Sequence, residues 1–201
     1  MEPVKDSAEW YWCDDSGVVD LYDAEQMARS GGVFPGMRGC LIHFPDGRVY
    51  EPFPKRENGY VERPVWDRGR LYFLKADWNS REISLFVWNG EEPEPLASIP
   101  CSDVKDCYNL QLISSPVTLV RSDGLEDELE LIWPERRRMR LEENESVQFR
   151  DEMRLYMFRW QEDPEYHEEV LIRDVDSGEI LARFPGSVAR MPDGSIWKMT
   201  K

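Results

Sequence analysis

Histidine is scarce in this sequence. Only His43 and His167 occur among the 201 residues. A Ser–His–Asp or Cys–His catalytic arrangement needs one of them as its base. His43 lies in a short apolar run, where we expect a structural histidine, and His167 stands in a carboxylate-rich loop, EDPEYHEE, where it is either solvated or part of a site. The chain therefore offers no evident catalytic constellation of these types.

Positive charge is also in the minority. Lys and Arg number 25 against 40 Asp and Glu, which gives a formal net charge of -15. Nucleic acids and anionic membrane surfaces both call for a basic footprint on the protein. We therefore expect neither a nucleic acid nor a membrane as a partner. A basic partner protein would fit the negative charge, and a role in solubility alone would also explain it.

Cysteine is sparse and lacks the spacing of a metal or redox motif. No CxxC pair is present, so we expect no bound metal. The sequence also has no glycine-rich phosphate-binding loop, so we expect no cofactor. The start, MEPVKDSAEWYW, has no basic stretch followed by an apolar one, and no apolar run approaches about 18 residues. These features predict a cytoplasmic protein with reduced thiols. The cysteines are Cys13, Cys40, Cys101 and Cys107.

What the sequence does contain is a repeat of paired hairpins with a period of about 42 residues. The strands are β-branched and aromatic, and Pro-Asp-Gly and Asn-Gly dipeptides supply the turns. Four A–B hairpins have turns near Gly69, Ser115, Glu152 and Gly194. Four C–D hairpins have turns near Gly47, Gly90, Arg137 and Gly178. This pattern predicts an all-β fold built from four-stranded antiparallel blades.

The repeat is offset along the chain. It begins with a C–D hairpin at residues 41–53 and ends with an A–B hairpin at residues 187–199. We therefore predict a small propeller-like array of about four blades over residues 39–201, closed by one blade shared between these terminal hairpins. An incomplete propeller or a β-sandwich of the same hairpins remains an alternative. The three internal blades are expected at about 61–100, 109–143 and 146–184.

The hairpin IRDVDSGEILARF, with its Asp-x-x-Ser-Gly turn, resembles the C–D hairpin of the β-propeller superfamily, in particular WD-repeat and quinoprotein-type blades. The resemblance extends over residues 39–199 and implies the architecture alone. Trp66-Asp67 falls at an A–B turn and not at the end of strand C, where WD-repeat proteins carry that dipeptide. The resemblance therefore implies no particular member family, substrate or partner.

Residues 1–38 do not fit the repeat, and we predict that they form a cap over the 39–201 domain. Residues 9–12 are compatible with a strand. Residues 23–29, DAEQMAR, are compatible with one helix, with Asp23 as its N-cap and Gly31-Gly32 as its stop. This cap is expected on the face that carries the B–C loops.

Tryptophan is abundant, with eight residues. Several aromatic side chains and one histidine are predicted to approach the B–C loop face, where carboxylates surround them. Exposed aromatics of this kind are typical of binding surfaces, although the cap would alternatively bury its own tryptophans. The candidate binding residues are Trp10, Trp12, Trp78, Trp160, Tyr166 and His167.

The sequence thus favours a binding or interaction module over an enzyme. The expected ligand is a protein or a small molecule, held by an acidic, aromatic face. Two alternatives stay open: a carbohydrate-active or other hydrolase or lyase with a carboxylate-lined central site, and an acidic inhibitor or immunity-type partner of a basic protein.

Overall fold

The computed structural model describes residues 1–162 and 165–199. The chain divides into two compact units, Met1–Leu112 and Ile113–Lys201. Antiparallel strands dominate both units, in keeping with the β-branched and aromatic runs of the sequence.

Among the described residues, the strands form four sheets and one separate hairpin, and each sheet follows the chain in consecutive antiparallel order. The first sheet contains β1 (Glu2–Pro3), β2 (Trp10–Asp14), β3 (Gly39–His43) and β4 (Val49–Tyr50). In the second, β5 (Gly59–Val61) and β6 (Val65–Asp67) both pair with β7 (Arg70–Asp77), which is followed by β8 (Glu82–Trp88) and β9 (Glu94–Pro100). The third contains β10 (Leu110–Ile113), β11 (Thr118–Asp123), β12 (Glu128–Trp133) and β13 (Arg137–Arg140). The fourth contains β14 (Glu145–Asp151), β15 (Arg154–Gln161), β16 (His167–Asp174) and β17 (Ile180–Pro185).

The predicted fold class is confirmed. The protein is all-β, and its four sheets are four-stranded, propeller-like blades; in the second blade, β5 and β6 together take the place of the first strand. The α-helix lies near the N-terminus. The three internal blades fall where the hairpin spacing placed them, because their turn residues mark the strand ends. Gly178, for example, has a φ of +72°, the left-handed conformation that its turn requires.

The prediction that the two terminal hairpins share one blade is wrong. The hairpin of β3 and β4 is completed by β1 and β2 from the N-terminal segment, and β2 pairs with β3 over its whole length. The C-terminal hairpin, β18 (Ser187–Arg190) and β19 (Ile196–Met199), forms a sheet of its own among the described strands. Two short strands of residues 1–38 thus belong to the first blade.

The helix α1 (Leu21–Arg29) lies between β2 and β3. Its N-cap is Asp20, and not Asp23 as the sequence suggested. The Asp20 carboxylate accepts a hydrogen bond from the Asp23 backbone N–H at 2.7 Å, and the Asp23 side chain faces the Asp20 backbone N–H, which completes a capping box. In the described part of the chain, no helix is long and apolar enough to cross a membrane.

The core of the first unit is aromatic. Trp12 packs 6.0 Å from Phe73 between ring centroids, and Phe53 packs 5.3 Å from Phe73. Trp88 receives the edge of Trp10 at 5.3 Å. Because side chains alternate across a strand, Trp10 and Trp12 point to the same side of β2, and this side is the one that meets the second sheet.

The core of the second unit is aliphatic on one side of the fourth sheet and aromatic on the other. Leu155, Met157 and Leu171 pack with residues of the third sheet. On the opposite side, Phe149 stacks on Tyr156 at 4.6 Å, and Val188 and Ile196 of the C-terminal hairpin cover this cluster. The hairpin is therefore held by burial of its inner face.

Candidate functional site

The candidate residues Trp10 and Trp12 take part in packing within the first unit. Trp12 is 3 % exposed, and its Nε1 donates to Asp14 Oδ2 at 3.0 Å. Trp10 is half-buried, and its ring centroid lies 4.5 Å from that of His43, with the two rings tilted by 45°. His43 in turn hydrogen-bonds Asp46 through Nδ1 at 2.9 Å. These contacts agree with the structural role expected for His43 and with the alternative that this segment buries its own tryptophans.

Trp78 directly follows β7 in the first unit. Its ring meets Phe34 edge-on at 6.4 Å, and its backbone N–H donates to Asn58 O at 3.0 Å. The indole Nε1 is buried and has no hydrogen-bond partner among the described residues. The side chain as a whole is half-buried, so Trp78 offers only part of its surface to a ligand.

The other three candidates lie together in the second unit, at the end of the β15–β16 pair. Trp160 lies directly opposite Glu168, and Gln161 lies opposite His167. Tyr166 is 58 % exposed and donates its hydroxyl to Glu168 Oε1 at 2.8 Å, while Trp160 is 36 % exposed. The antiparallel register therefore gathers two exposed aromatic side chains and a histidine at one edge of the blade.

Both ring nitrogens of His167 are engaged. Nδ1 faces Glu165 O at 3.0 Å, and the Gln161 amide, oriented with its nitrogen toward the ring, donates to Nε2 at 2.6 Å. In the same orientation, the amide oxygen accepts from Arg159 Nη1 at 2.9 Å. When the ring is neutral, this arrangement favours the tautomer with the proton on Nδ1. His167 thus helps to order the edge of the blade and presents no unengaged nitrogen as a base.

A depression of about 400 Å³ lies beside Trp160. It is lined by Trp160 and by polar or charged residues from the start of β14 and the end of β15. The lining residues are Glu143, Asn144, Arg159, Trp160, Gln161 and Glu162.

Two arginines and two glutamates form an ion-pair network that includes Arg159, one of the residues lining this depression. Arg159 Nη1 lies 3.0 Å from Glu142 Oε2 and 2.8 Å from Glu169 Oε1. Arg183 pairs with the same two carboxylates, at 3.2 Å from Glu169 Oε1. The hydrogen bond from Arg183 lowers the pKa of Glu142, and this carboxylate raises the pKa of Arg183. The network links the segment before β14 to β15, β16 and β17 next to Trp160.

The charge around the exposed aromatics is strongly negative. Residues 159–169 carry one arginine against five acidic residues. The arginine is Arg159, whose two carboxylate partners lie within the network. The acidic residues are Glu162, Asp163, Glu165, Glu168 and Glu169; Asp163 lies outside the described residues. A cationic group placed on this surface would gain both from the carboxylates and from the aromatic faces.

A second depression, of about 330 Å³, occurs in the first unit. Its lining includes Cys13, Asp14, Tyr60, Glu62 and Arg63. Burial raises the pKa of Glu62, although the backbone N–H of Arg63 opposes this shift. Burial also raises the pKa of Tyr60, and the charge of Glu62 adds to that effect. The depression therefore combines a phenol with a carboxyl group that holds its proton more tightly than usual.

The sequence did not reveal the ion-pair network. Its members are separated by up to 41 residues, and single Arg and Glu residues are too common to stand out among 65 charged ones. A signal does exist in the strand register, because Arg159 lies directly opposite Glu169 once β15 and β16 are paired. In the described part of the chain, no group of three or more His, Cys, Asp or Glu residues is placed to hold a metal ion.

No model of a known protein family matches this chain, and no curated protein matches it either.

Proposed function

We propose that this protein is a binding module that recognises a cationic segment of a partner protein through the acidic, aromatic edge of its fourth blade. The observation that carries the proposal is the exposure of Trp160 and Tyr166 next to a run of carboxylates. Exposed Trp and Tyr side chains provide large contact areas and are enriched at interfaces between proteins. The chain's net charge of -15 favours association with a basic partner through long-range attraction.

The geometry supports recognition of Lys or Arg side chains in particular. The Trp160 ring borders the depression, and Glu143 and Glu162 lie on its lining. A cation seated on an indole face gains about 0.5–2 kcal/mol from the ring, and flanking carboxylates add charge-assisted hydrogen bonds. The ion-pair network that includes Arg159 lowers the conformational entropy that this edge would lose on binding. A relationship to WD-repeat or quinoprotein-type blades, whose C–D hairpin the sequence IRDVDSGEILARF resembles, is part of the proposal.

The test uses a fluorescently labelled decalysine peptide and measures binding by anisotropy. We expect Trp160→Ala to weaken binding about threefold to tenfold, which corresponds to about 0.7–1.4 kcal/mol. Trp197→Ala is the matched control, because Trp197 is also exposed but lies on the C-terminal hairpin. Equal losses in the two variants, or no binding to wild type, would overturn the proposal.

A charge-matched pair separates the local site from general attraction. Glu162→Gln removes a carboxylate from the depression, whereas Glu92→Gln removes one from an exposed turn of the first unit. Both variants have the same net charge. We expect the first to weaken decalysine binding more than the second at low ionic strength, and both differences to shrink in high salt. A partner that is an enzyme inhibited by this protein would be a special case of the same recognition.

A hydrolytic function is the second candidate, and the Glu62 depression supports it. A carboxyl group with a raised pKa is a candidate general acid, and Asp14 supplies a second carboxyl group to the same lining. The test is a panel of 4-nitrophenyl glycosides with wild type and Glu62→Gln. Turnover that disappears in this variant would favour the hydrolase over the binding module, whereas the absence of turnover in wild type would count against it.

A further inference from the structure

Cys13 and Cys40 lie directly opposite each other on the paired strands β2 and β3 of the first blade. Both are free thiols, and both are half-buried. Burial raises the pKa of Cys40, and the neighbouring Cys13 raises that pKa further. The strand register therefore places the two thiols side by side, although 26 residues separate the cysteines in the chain.

The ladder geometry is compatible with a bond between these sulfurs. Asp15 N donates to Arg38 O at 3.2 Å, and Phe44 N donates to Glu9 O at 2.7 Å. Because hydrogen-bonded pairs alternate along an antiparallel ladder, Cys13 and Cys40 also form a hydrogen-bonded pair, for which the Cα atoms are about 5.5 Å apart. Disulfides span Cα separations of about 4.4–6.8 Å. A hydrogen-bonded pair has the wider β-carbon separation, about 5.5 Å, so closing the bond requires the β-carbons to approach each other by about 1.5 Å.

The position of Cys13 gives a small oxidant access to the pair. Cys13 lines the first-unit depression, together with Asp14, Tyr60 and Glu62. Cys40 lies beside it on the neighbouring strand, and burial raises the pKa of its thiol. This arrangement separates an attacking sulfur, Cys13, from a resolving sulfur, Cys40.

The other two cysteines lie outside the paired strands. Cys101 opens the 3₁₀ turn Cys101–Asp103, and Cys107 lies in the irregular segment that follows. Cys107 is 3 % exposed, and its backbone N–H donates to the buried Glu25 carboxylate at 2.7 Å. Burial also raises the pKa of both thiols. They provide an internal comparison, because neither lies on a paired strand.

We propose that Cys13 and Cys40 form a reversible dithiol–disulfide pair that is oxidised by low-molecular-weight disulfides. The Cys13 thiolate attacks one sulfur of the small disulfide, forms a mixed disulfide and releases the other half as a thiolate. The Cys40 thiol then loses its proton and attacks Cys13 Sγ, which breaks the mixed disulfide and releases the second thiol. Two protein thiols lose two electrons, and one small disulfide is reduced to two thiols.

The bond would tie together the two ends of the segment that carries α1. The chain leaves the sheet after Asp14 and returns to it at Gly39, and these two residues are the direct neighbours of Cys13 and Cys40. A cross-link across this loop restricts the unfolded chain and should raise the urea midpoint of the first unit. Because Cys13 lines the first-unit depression, oxidation of this thiol would also change the surface of that depression.

The experiment incubates the full-length protein with oxidised glutathione, then alkylates free thiols under denaturing conditions and measures intact mass. Wild type should lose two of its four alkylatable thiols and gain no glutathione adduct, and peptide mapping should find Cys13 joined to Cys40. Cys101→Ser, the matched control, should still lose two thiols. Cys13→Ser and Cys40→Ser should form no internal disulfide.

Each contrary outcome overturns the proposal. Four alkylatable thiols after oxidation would show that the pair does not react. A bridge between Cys101 and Cys107, a bridge between two chains, or a mixed disulfide that persists on Cys13 would each show that the cross-strand pair does not close. Reduction with dithiothreitol should restore four thiols, and failure to do so would remove the reversibility.

Discussion

The buried ion pair between Arg173 and Glu145 should dominate the stability of the fourth blade. Arg173 Nε lies 2.6 Å from Glu145 Oε1, and its Nη2 lies 2.6 Å from Oε2. The Arg173 side chain is 7 % exposed and the Glu145 side chain is 0 % exposed. Arg173 Nη1 also donates to Gly178 O at 2.7 Å. This bidentate pair links β14 and β16 and reaches into the turn before β17.

Arg173→Met would leave the Glu145 carboxylate buried without its cation. Breaking a buried pair by removing one partner costs about 3–5 kcal/mol, because the remaining charge keeps its desolvation penalty. With a urea m-value of about 2 kcal/mol/M, this corresponds to a midpoint about 1.5–2.5 M lower. Arg137→Met is the matched control: Arg137 Nη2 lies 3.3 Å from Asp176 Oδ1, and its side chain is 45 % exposed. An exposed pair of that kind contributes about 0–1 kcal/mol.

The assay is urea unfolding followed by circular dichroism, with the double variant Glu145→Leu/Arg173→Met as a third sample. The double variant should be less destabilised than Arg173→Met, since it removes both charges together. If Arg173→Met costs no more than Arg137→Met, the pair is not buried as the structure shows. If the double variant is no more stable than Arg173→Met, the loss comes from packing and not from an uncompensated charge.

Two further predictions concern the first unit. Gly39→Ala should lower the free energy of unfolding by about 1–3 kcal/mol, because an added β-carbon would lie 2.1 Å from Cη2 of Trp12. Gly124→Ala is the control: an added β-carbon there has no atom within 4 Å, so we expect a change of less than about 0.5 kcal/mol. Equal effects of the two substitutions in urea unfolding would refute the steric argument. Glu62→Gln should stabilise the protein at pH 7–8, because burial raises the pKa of Glu62 and the folded state disfavours its ionised form. Since the folded state holds this proton more tightly than the unfolded chain does, wild type gains stability as pH falls from the raised pKa toward 4.5, and the advantage of the variant should shrink over that range. A difference that grows on acidification would contradict the sign of this shift.

Local signals were sufficient to predict three of the four blades. Turn residues such as Gly90 and Gly178 mark where strands reverse, and the apolar runs between them have strand length. The first blade was missed for a physical reason. Its second and third strands are separated by the 24 residues between Asp14 and Gly39, whereas only four residues separate Asp77 and Glu82 in the second blade. The insertion that contains α1 breaks the period, and the two-residue strand β1 has no periodic signal.

The candidate site could be predicted only in part. Trp160, Tyr166 and His167 are adjacent in sequence or nearly so, and a hairpin brings such residues together by local geometry. The sequence could not show that Trp12 is buried whereas Trp160 and Tyr166 are exposed, because the burial of Trp12 depends on long-range strand pairing. It lies against Gly39, where the absence of a side chain leaves room for the indole. Burial of this kind is set by sheet register and not by residue type.

The completion of the first blade and the thiol pair have the same origin, and this makes the oxidation experiment a test of the fold. Pairing β2 with β3 places residue 13 opposite residue 40, as it places residue 12 opposite residue 41. A blade shared with the C-terminal hairpin would instead put β19 beside β3, and Ile196–Met199 contains no cysteine. Cys40 would then have no thiol opposite it. An intramolecular Cys13–Cys40 bridge formed under mild oxidation therefore requires the β2–β3 register, whereas a shift of one residue would turn Cys13 to the opposite side of the sheet and prevent the bridge.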